Sequence, residues 1–500
     1  MRWLSALMPL VSVVAPLPPA PLPPPSSSPA NVGCSVGVRP GCVAWSDHWP
    51  PKSNPLPEGG RAITTTPDGS TVLVASAHTD LAYEAATGRL LWHEPNDAPG
   101  VLGGQDIAVS PSGALVVSTG EATHPHPERV VSGEVVLTAR QPSSGRPLWQ
   151  ARYRDPGGGP YTSRALAVTD RGVFVAADGL IPRRIAVAAF DSDSGARRWV
   201  RHDRAGTDLP AGPTRAVSIA ATPDGRRVYV SGFRVVDPPY VEWATIAYDG
   251  VTGVLLWEAR YPGGGRFAAE PKDMRLHPDG HLLYVTGWSK QPGLSGESFD
   301  FVTVAYDTGT GRPAWTGGYR STAAGFPLDS DDLGWSVDLS PDGRRLFIAG
   351  YSEDPRPDID SHGYQVEARD ALTGAPLWSA AVPSFGATSD HEGLFGDVIV
   401  RSSRDGRQVF LAMAAHDTLS ARRYDVPGST YHDVVLAAAG FDARSGRFLW
   451  RGAHPAANLA ATYTRALAVD PAGHRIYVTG ITPGPGNATT ETAAFLVDSG

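Results

Sequence analysis

Residues 301–315 read FVTVAYDTGTGRPAW: an alternating apolar run, an Asp-x-x-Thr-Gly turn, and a second short run that carries Trp315. Val302, Val304 and Tyr306 alternate with Thr303 and Ala305, and a period of two predicts a strand with side chains on both faces of a sheet. At the turn, Asp307 can accept bonds from the backbone just beyond it, and Gly311 can take the positive φ that closes a bulged hairpin. Trp315 is too large and flat for one small sheet to bury alone, so it predicts a neighbouring unit against which it wedges.

Working outward, the same Gly-x-x-x-Trp hairpin recurs at Trp92, Trp149, Trp199, Trp257, Trp378 and Trp450, which with Trp315 makes seven copies. A Pro-Asp-Gly type of turn recurs eight times, from Pro67-Asp68-Gly69 to Pro471-Ala472-Gly473. One Trp hairpin is therefore missing. The sequence ends near Asp498, where that hairpin would turn, and the N-terminal Gly41 to Trp45 supplies the absent Gly-x-x-x-Trp. This predicts an all-β, eight-bladed β-propeller whose last blade is completed by the N-terminal strand, so that the ring has no open sheet edge. Because each repeat shares its core with its neighbours, residues 31–500 are expected to form one domain rather than several.

Composition agrees with many short strands: 56 Gly, 46 Pro and 9% aromatic residues in 500. A net charge of −8 gives no electrostatic footprint for nucleic acid. Lysine occurs only at Lys52, Lys272 and Lys290, so arginine carries nearly all the positive charge. Residues 1–30 read as a secretory signal followed by a Pro-rich spacer; the apolar run is too short and Pro-interrupted to span a bilayer. Export would allow Cys34 and Cys42 to form one local disulfide, and a lipid-modified Cys34 is the competing reading.

The repeats resemble those of PQQ-binding-like, quinoprotein-type β-propellers, whose blades carry an Asp-x-x-Thr-Gly-x-x-x-Trp docking motif, over about residues 41–500. The resemblance implies the fold and a structural role for Trp45, Trp92, Trp149, Trp199, Trp257, Trp315, Trp378 and Trp450. It implies no single function, because the family includes quinone-dependent dehydrogenases, assembly scaffolds and secreted binding proteins. In those dehydrogenases the cofactor lies under a disulfide of adjacent cysteines, beside Ca²⁺ and a catalytic Asp. This sequence has no adjacent cysteine pair, so PQQ is not expected.

If the two recurrent turns lie on one face of the disc, the long connections between strands two and three and between blades lie on the other. Recognition is expected there. Asp106, Arg164, Arg215, Asp273, Asp397 and Arg465, near the starts of the innermost strands, are expected to ring the channel mouth and suit a polar ligand; inter-blade ion pairs are the bland alternative. Asp329, Asp331 and Asp332, with Asp354, Asp358 and Asp360, offer oxygens suited to Ca²⁺, although neither group has the spacing of a known calcium loop. His124 and His126 lack a third ligand nearby. The expected function is a secreted, non-catalytic scaffold binding a protein, peptide or glycan through the long-loop face. The alternatives are a divergent quinoprotein-like oxidoreductase, a propeller hydrolase or lyase with its site at the channel mouth, and a lipid-anchored envelope assembly scaffold. Mouth carboxylates converging with Arg or His would favour an enzyme, and an apolar plug would oppose it.

Overall fold

The computed structural model describes residues 39–49, 59–95, 101–102, 105–126, 129–154, 161–180, 183–203, 215–237, 240–263, 269–292, 297–319, 332–352, 363–382, 398–416, 434–454, 463–483 and 488–497. The proposed signal and spacer, Cys34, Asp329, Asp331, Asp354, Asp358, Asp360, Asp397 and Asp498 lie outside them.

Eight antiparallel sheets form the blades, each running outward from an innermost strand in chain order. The innermost strands are Gly60–Thr65, Ile107–Val109, Tyr161–Val168, Arg215–Ala221, Ala269–Leu276, Asp332–Leu339, Ile399–Ser402 and Tyr463–Val469, in blades 1 to 8. Each lies against the next and the eighth returns to the first. The Pro-Asp-Gly type of turn joins strands one and two of a blade, and the Asp-x-x-Thr-Gly turn joins strands three and four, so both sit on one face of the disc.

The turn chemistry follows from residue type. Asp307 Oδ1 accepts Thr310 N–H at 2.8 Å and Thr310 Oγ1–H at 2.7 Å, bonds that also lower the Asp307 pKa. Gly311 takes φ +71°, and a Cβ there would lie 2.6 Å from Trp257 Cδ2, so only glycine fits both the backbone and the ring of the preceding blade. Trp257 Nε1 donates to Thr308 O at 2.8 Å, which satisfies the indole as its face is buried. The rings of Tyr229 and Tyr306, one from each blade, pack 5.9 and 6.3 Å from it.

The same relation closes the ring. Val43–Trp49 pairs antiparallel with Ala488–Leu496 as the outermost strand of blade 8, with Trp45 opposite Ala494. Trp45 lies on Gly88 of blade 1 and donates to Ala85 O at 3.0 Å, while Trp450 of blade 7 lies against Gly41, whose φ is +82°. Glu491, 2% exposed, fastens the joint further: its carboxylate meets His48 at 2.9 Å and His454 of blade 7 at 2.8 Å.

Three connections read as long loops are paired hairpins instead. Strands run Val116–His126 into Arg129–Arg140, Arg227–Asp237 into Tyr240–Asp249, and Leu282–Pro292 into Glu297–Asp307. The pairing carries on to the tips, as with His126 opposite Arg129, because satisfying backbone groups in a ladder outweighs the polar composition that suggested loops.

If blade 8 is part of the ring on equal terms, Trp45→Ala and Trp257→Ala should each cost about 3–5 kcal/mol, the usual range for a buried aromatic in a core. Urea unfolding measures both. A loss below about 1 kcal/mol for Trp45→Ala, beside a full loss for Trp257→Ala, would contradict the closure.

Candidate functional site

The site is built from one irregularity repeated around the axis. In six innermost strands the pairing with strand two slips by one residue, and the extra residues are Arg61, Arg164, Val217, Lys272, Trp335 and Arg465. A bulge of this kind re-aims a side chain without ending the sheet. All six residues line a central cavity of about 800 Å³. Seven cationic side chains face this cavity, Arg61, Arg164, Lys272, Arg275, Arg401, Arg404 and Arg465, against two carboxylates, Asp106 and Asp273. A protein of net charge −8 thus carries a cationic channel.

The carboxylates are occupied with holding blades together. Asp106 Oδ2 accepts Leu166 N–H of blade 3 at 2.8 Å, Asp178 Oδ1 accepts Ala216 N–H of blade 4 at 2.6 Å, Asp273 Oδ2 accepts Val337 N–H of blade 6 at 3.2 Å, and Asp338 Oδ2 accepts Ser402 N–H of blade 7 at 2.7 Å. These are charge-assisted bonds to backbone donors. Burial nonetheless pushes Asp106 up to about 6, against the pull of the Leu166 and Ile107 N–H groups, and it also raises Asp178.

The cations are crowded. Burial lowers the pKa of Arg61, and Arg465 beside it lowers it further. Deeper in the channel, burial and then Arg275 push Arg401 down to about 10. Arg275 itself stays above its ordinary value because Asp273 and Asp338, each 3.2 Å away, outweigh its burial. Like charges held together in a partly dehydrated channel are a standing electrostatic cost that a bound anion relieves.

Around the rim, the side chains of strand two change character from blade to blade. Glu121 and Asp178 stand in blades 2 and 3, and Arg164 reaches Asp178 at 2.6 Å. Phe233, Trp288 and Tyr351 stand at the matching register in blades 4, 5 and 6. Burial raises Glu121 to about 7, offset in part by Arg164 and Arg61.

Of the residues expected at the mouth, Asp106, Arg164, Asp273 and Arg465 line the cavity together. Arg215 is outside that lining, half exposed, with its guanidinium 3.7 Å from Asp178. Asp332, the described member of the first acidic group, is buried at the start of its strand and accepts Ser352 Oγ–H at 2.5 Å. Among the described residues no three His, Cys, Asp or Glu side chains are grouped to hold a metal. Sequence reasoning missed Arg61, Lys272, Arg275, Arg401, Trp335, Glu121 and Asp178. Their signal was a count: Arg61, Arg164, Lys272, Trp335 and Arg465 each stand six residues before the recurrent turn.

Fold and site together define an eight-bladed propeller with a charged central channel. The chain belongs to the PQQ-like propeller family whose model is described as outer membrane protein assembly factor BamB; the match covers residues 82–238 and 219–423. No curated protein matches it. Among solved structures it is similar to quinohemoprotein alcohol dehydrogenase from Comamonas testosteroni, at 13% identity and TM-score 0.50, over 90% of this chain and 76% of that one. It is also similar to the C-terminal WD40 domain of Sif2, at 11% identity and TM-score 0.52, over 92% and 99%. Both likenesses concern the fold alone. No helix among the described residues is long and apolar enough to cross a membrane.

Glu121 supplies a pH test of the rim. Its folded pKa of about 7 stands above the ordinary value of 4.5, so the folded state holds the proton more tightly. The stability this group contributes is complete below about pH 4.5 and lost as pH rises through 7. Glu121→Gln should therefore match the parent near pH 4 and exceed it at pH 8 by on the order of 1–3 kcal/mol. Urea unfolding at the two pH values reads this, and an equal gap at both would contradict it.

Proposed function

We propose that this protein is an extracytoplasmic binding propeller that holds an anionic ligand at the mouth of its central channel. The observation that carries this reading is that seven cationic side chains line the cavity against two lining carboxylates; Asp178, Glu270 and Asp338 offset Arg164, Lys272 and Arg275, and Arg61, Arg401 and Arg404 keep the lining net positive. Low-dielectric walls focus such a field and raise the local concentration of anions. Guanidinium groups, with their planar fork of donors, suit oxyanions. Location outside the cytoplasm is supported by the signal-like N-terminus and by the family, whose model description names an outer membrane assembly factor. In that setting a Cys34–Cys42 bridge is the simplest state of the two cysteines.

A quinone site is not part of this proposal. The resemblance asks for adjacent cysteines over the channel, whereas Cys42 is buried next to the outermost strand of blade 8, on the opposite side of that blade from the axis. A second reading, a hydrolase or lyase, is supported by one observation: Glu121 is held near neutrality next to Arg164 and Arg61, as a group exchanging protons at pH 7 requires.

Citrate is a simple probe of the anion site. It should bind with an affinity that falls as salt rises, and the double variant Arg61→Ala/Arg465→Ala should lose about tenfold or more, the scale of one charge-assisted bond. Calorimetric titration measures both. Absence of citrate binding, or equal binding by the double variant, would contradict the reading.

A further inference from the structure

At blades 5 and 6 the cationic lining meets aromatic rings. Lys272 of blade 5 has its ammonium 4.8 Å from the ring centre of Trp335 and 5.9 Å from that of Trp288, and Glu270 holds it at 3.0 Å. Trp288 in turn meets Phe299 edge-on at 4.9 Å, and Lys290 lies 5.7 Å from the Phe299 ring. Two of the three lysines in the whole sequence thus stand against one aromatic cluster at the channel rim. Trp335 lines the cavity and is only partly buried. With eight blades in the ring, blade 5 lies across the axis from blade 1, so Lys272 stands opposite Arg61, with Trp335 of blade 6 and Arg465 of blade 8 each one blade to the side.

We infer that the mouth takes a carboxylate-bearing saccharide, a uronic-acid oligomer, with a sugar face against Trp335 and its carboxylates on the arginines of the other blades. This rests on the anion-site reading above and narrows it. Two features point to this class. A phosphate is usually cradled by free backbone N–H groups, and at this channel the N–H groups of Leu166, Ala216, Val337 and Ser402 are already taken by aspartates. The charged groups of the lining are guanidiniums and one ammonium, whose side-chain donors suit planar carboxylates spaced along a chain. Aromatic faces carry negative quadrupole charge and attract the weakly positive C–H faces of a sugar ring, which a small inorganic anion cannot exploit.

The test is calorimetric titration with tetragalacturonate, cellotetraose and citrate on the full chain. Tetragalacturonate should bind at least tenfold more tightly than citrate, and the neutral cellotetraose should bind at least tenfold more weakly than tetragalacturonate. Trp335→Leu, which keeps apolar bulk against the core but removes the ring, should cost tetragalacturonate about tenfold more than it costs citrate. Lys272→Ala should weaken both acids. Trp335→Met repeats the test should Trp335→Leu unfold. If citrate binds with dependence on Arg465 but tetragalacturonate binds no better, or if the folded Trp335 variant leaves tetragalacturonate unaffected, the saccharide inference is overturned and the anion site stands. If neither acid binds, both readings fall.

Discussion

The structure depends on an indole ring laid flat on a glycine of the next blade. Neither partner can be exchanged: the ring fills the space where a Cβ would stand, and the glycine has a backbone conformation that other residues resist. In seven interfaces the indole N–H also meets the carbonyl one residue beyond the turn's first position, as Trp92 does at Pro142 and Trp199 at Gly250. The eighth departs in detail, since Trp450 donates to Gln408 Oε1 at 3.3 Å while still lying against Gly41. A blade so joined has no face that is stable alone, so the ring is stable only as a closed circle.

Closure has a functional consequence. Eight innermost strands brought to one axis need ties near that axis, and here aspartates provide several of them by accepting backbone N–H groups from the next blade. Those acids are thereby committed to structure, while six arginines and one lysine line the channel beside them. The cationic character of the cavity thus follows from how the blades are tied together, in a protein whose overall charge is negative.

Blade number, turn positions and ring closure were legible in the sequence because each depends on a residue type at a fixed short spacing: Asp307 with Gly311, Gly311 with Trp315. The site was legible only in part. Asp106 and Asp273 stand five residues before the turn, Arg164 and Arg465 six, Asp397 seven and Arg215 eight, so charge alone mixes four positions of the chain. Keeping to the bulge position brings in Arg61 and Lys272, and with them Trp335, whose aromatic character hid it among the packing tryptophans. Arg275 and Arg401 stand three residues before the turn, where no local pattern separates a channel arginine from a surface one, and their shared contact with Asp273 joins them across blades 5 and 7. Burial raises Glu121, and burial depends on neighbours from three blades that no local pattern reveals.

The most direct test of the account is amide hydrogen exchange across the outermost strands. Residues 43–49 should exchange as slowly as the strand Leu255–Tyr261 of blade 4, because they occupy the same place in an equivalent blade. Exchange of residues 43–49 at the rate of an unfolded chain, with Leu255–Tyr261 protected, would show that the N-terminal strand does not close the ring, and the circular arrangement that forms the channel would fail with it.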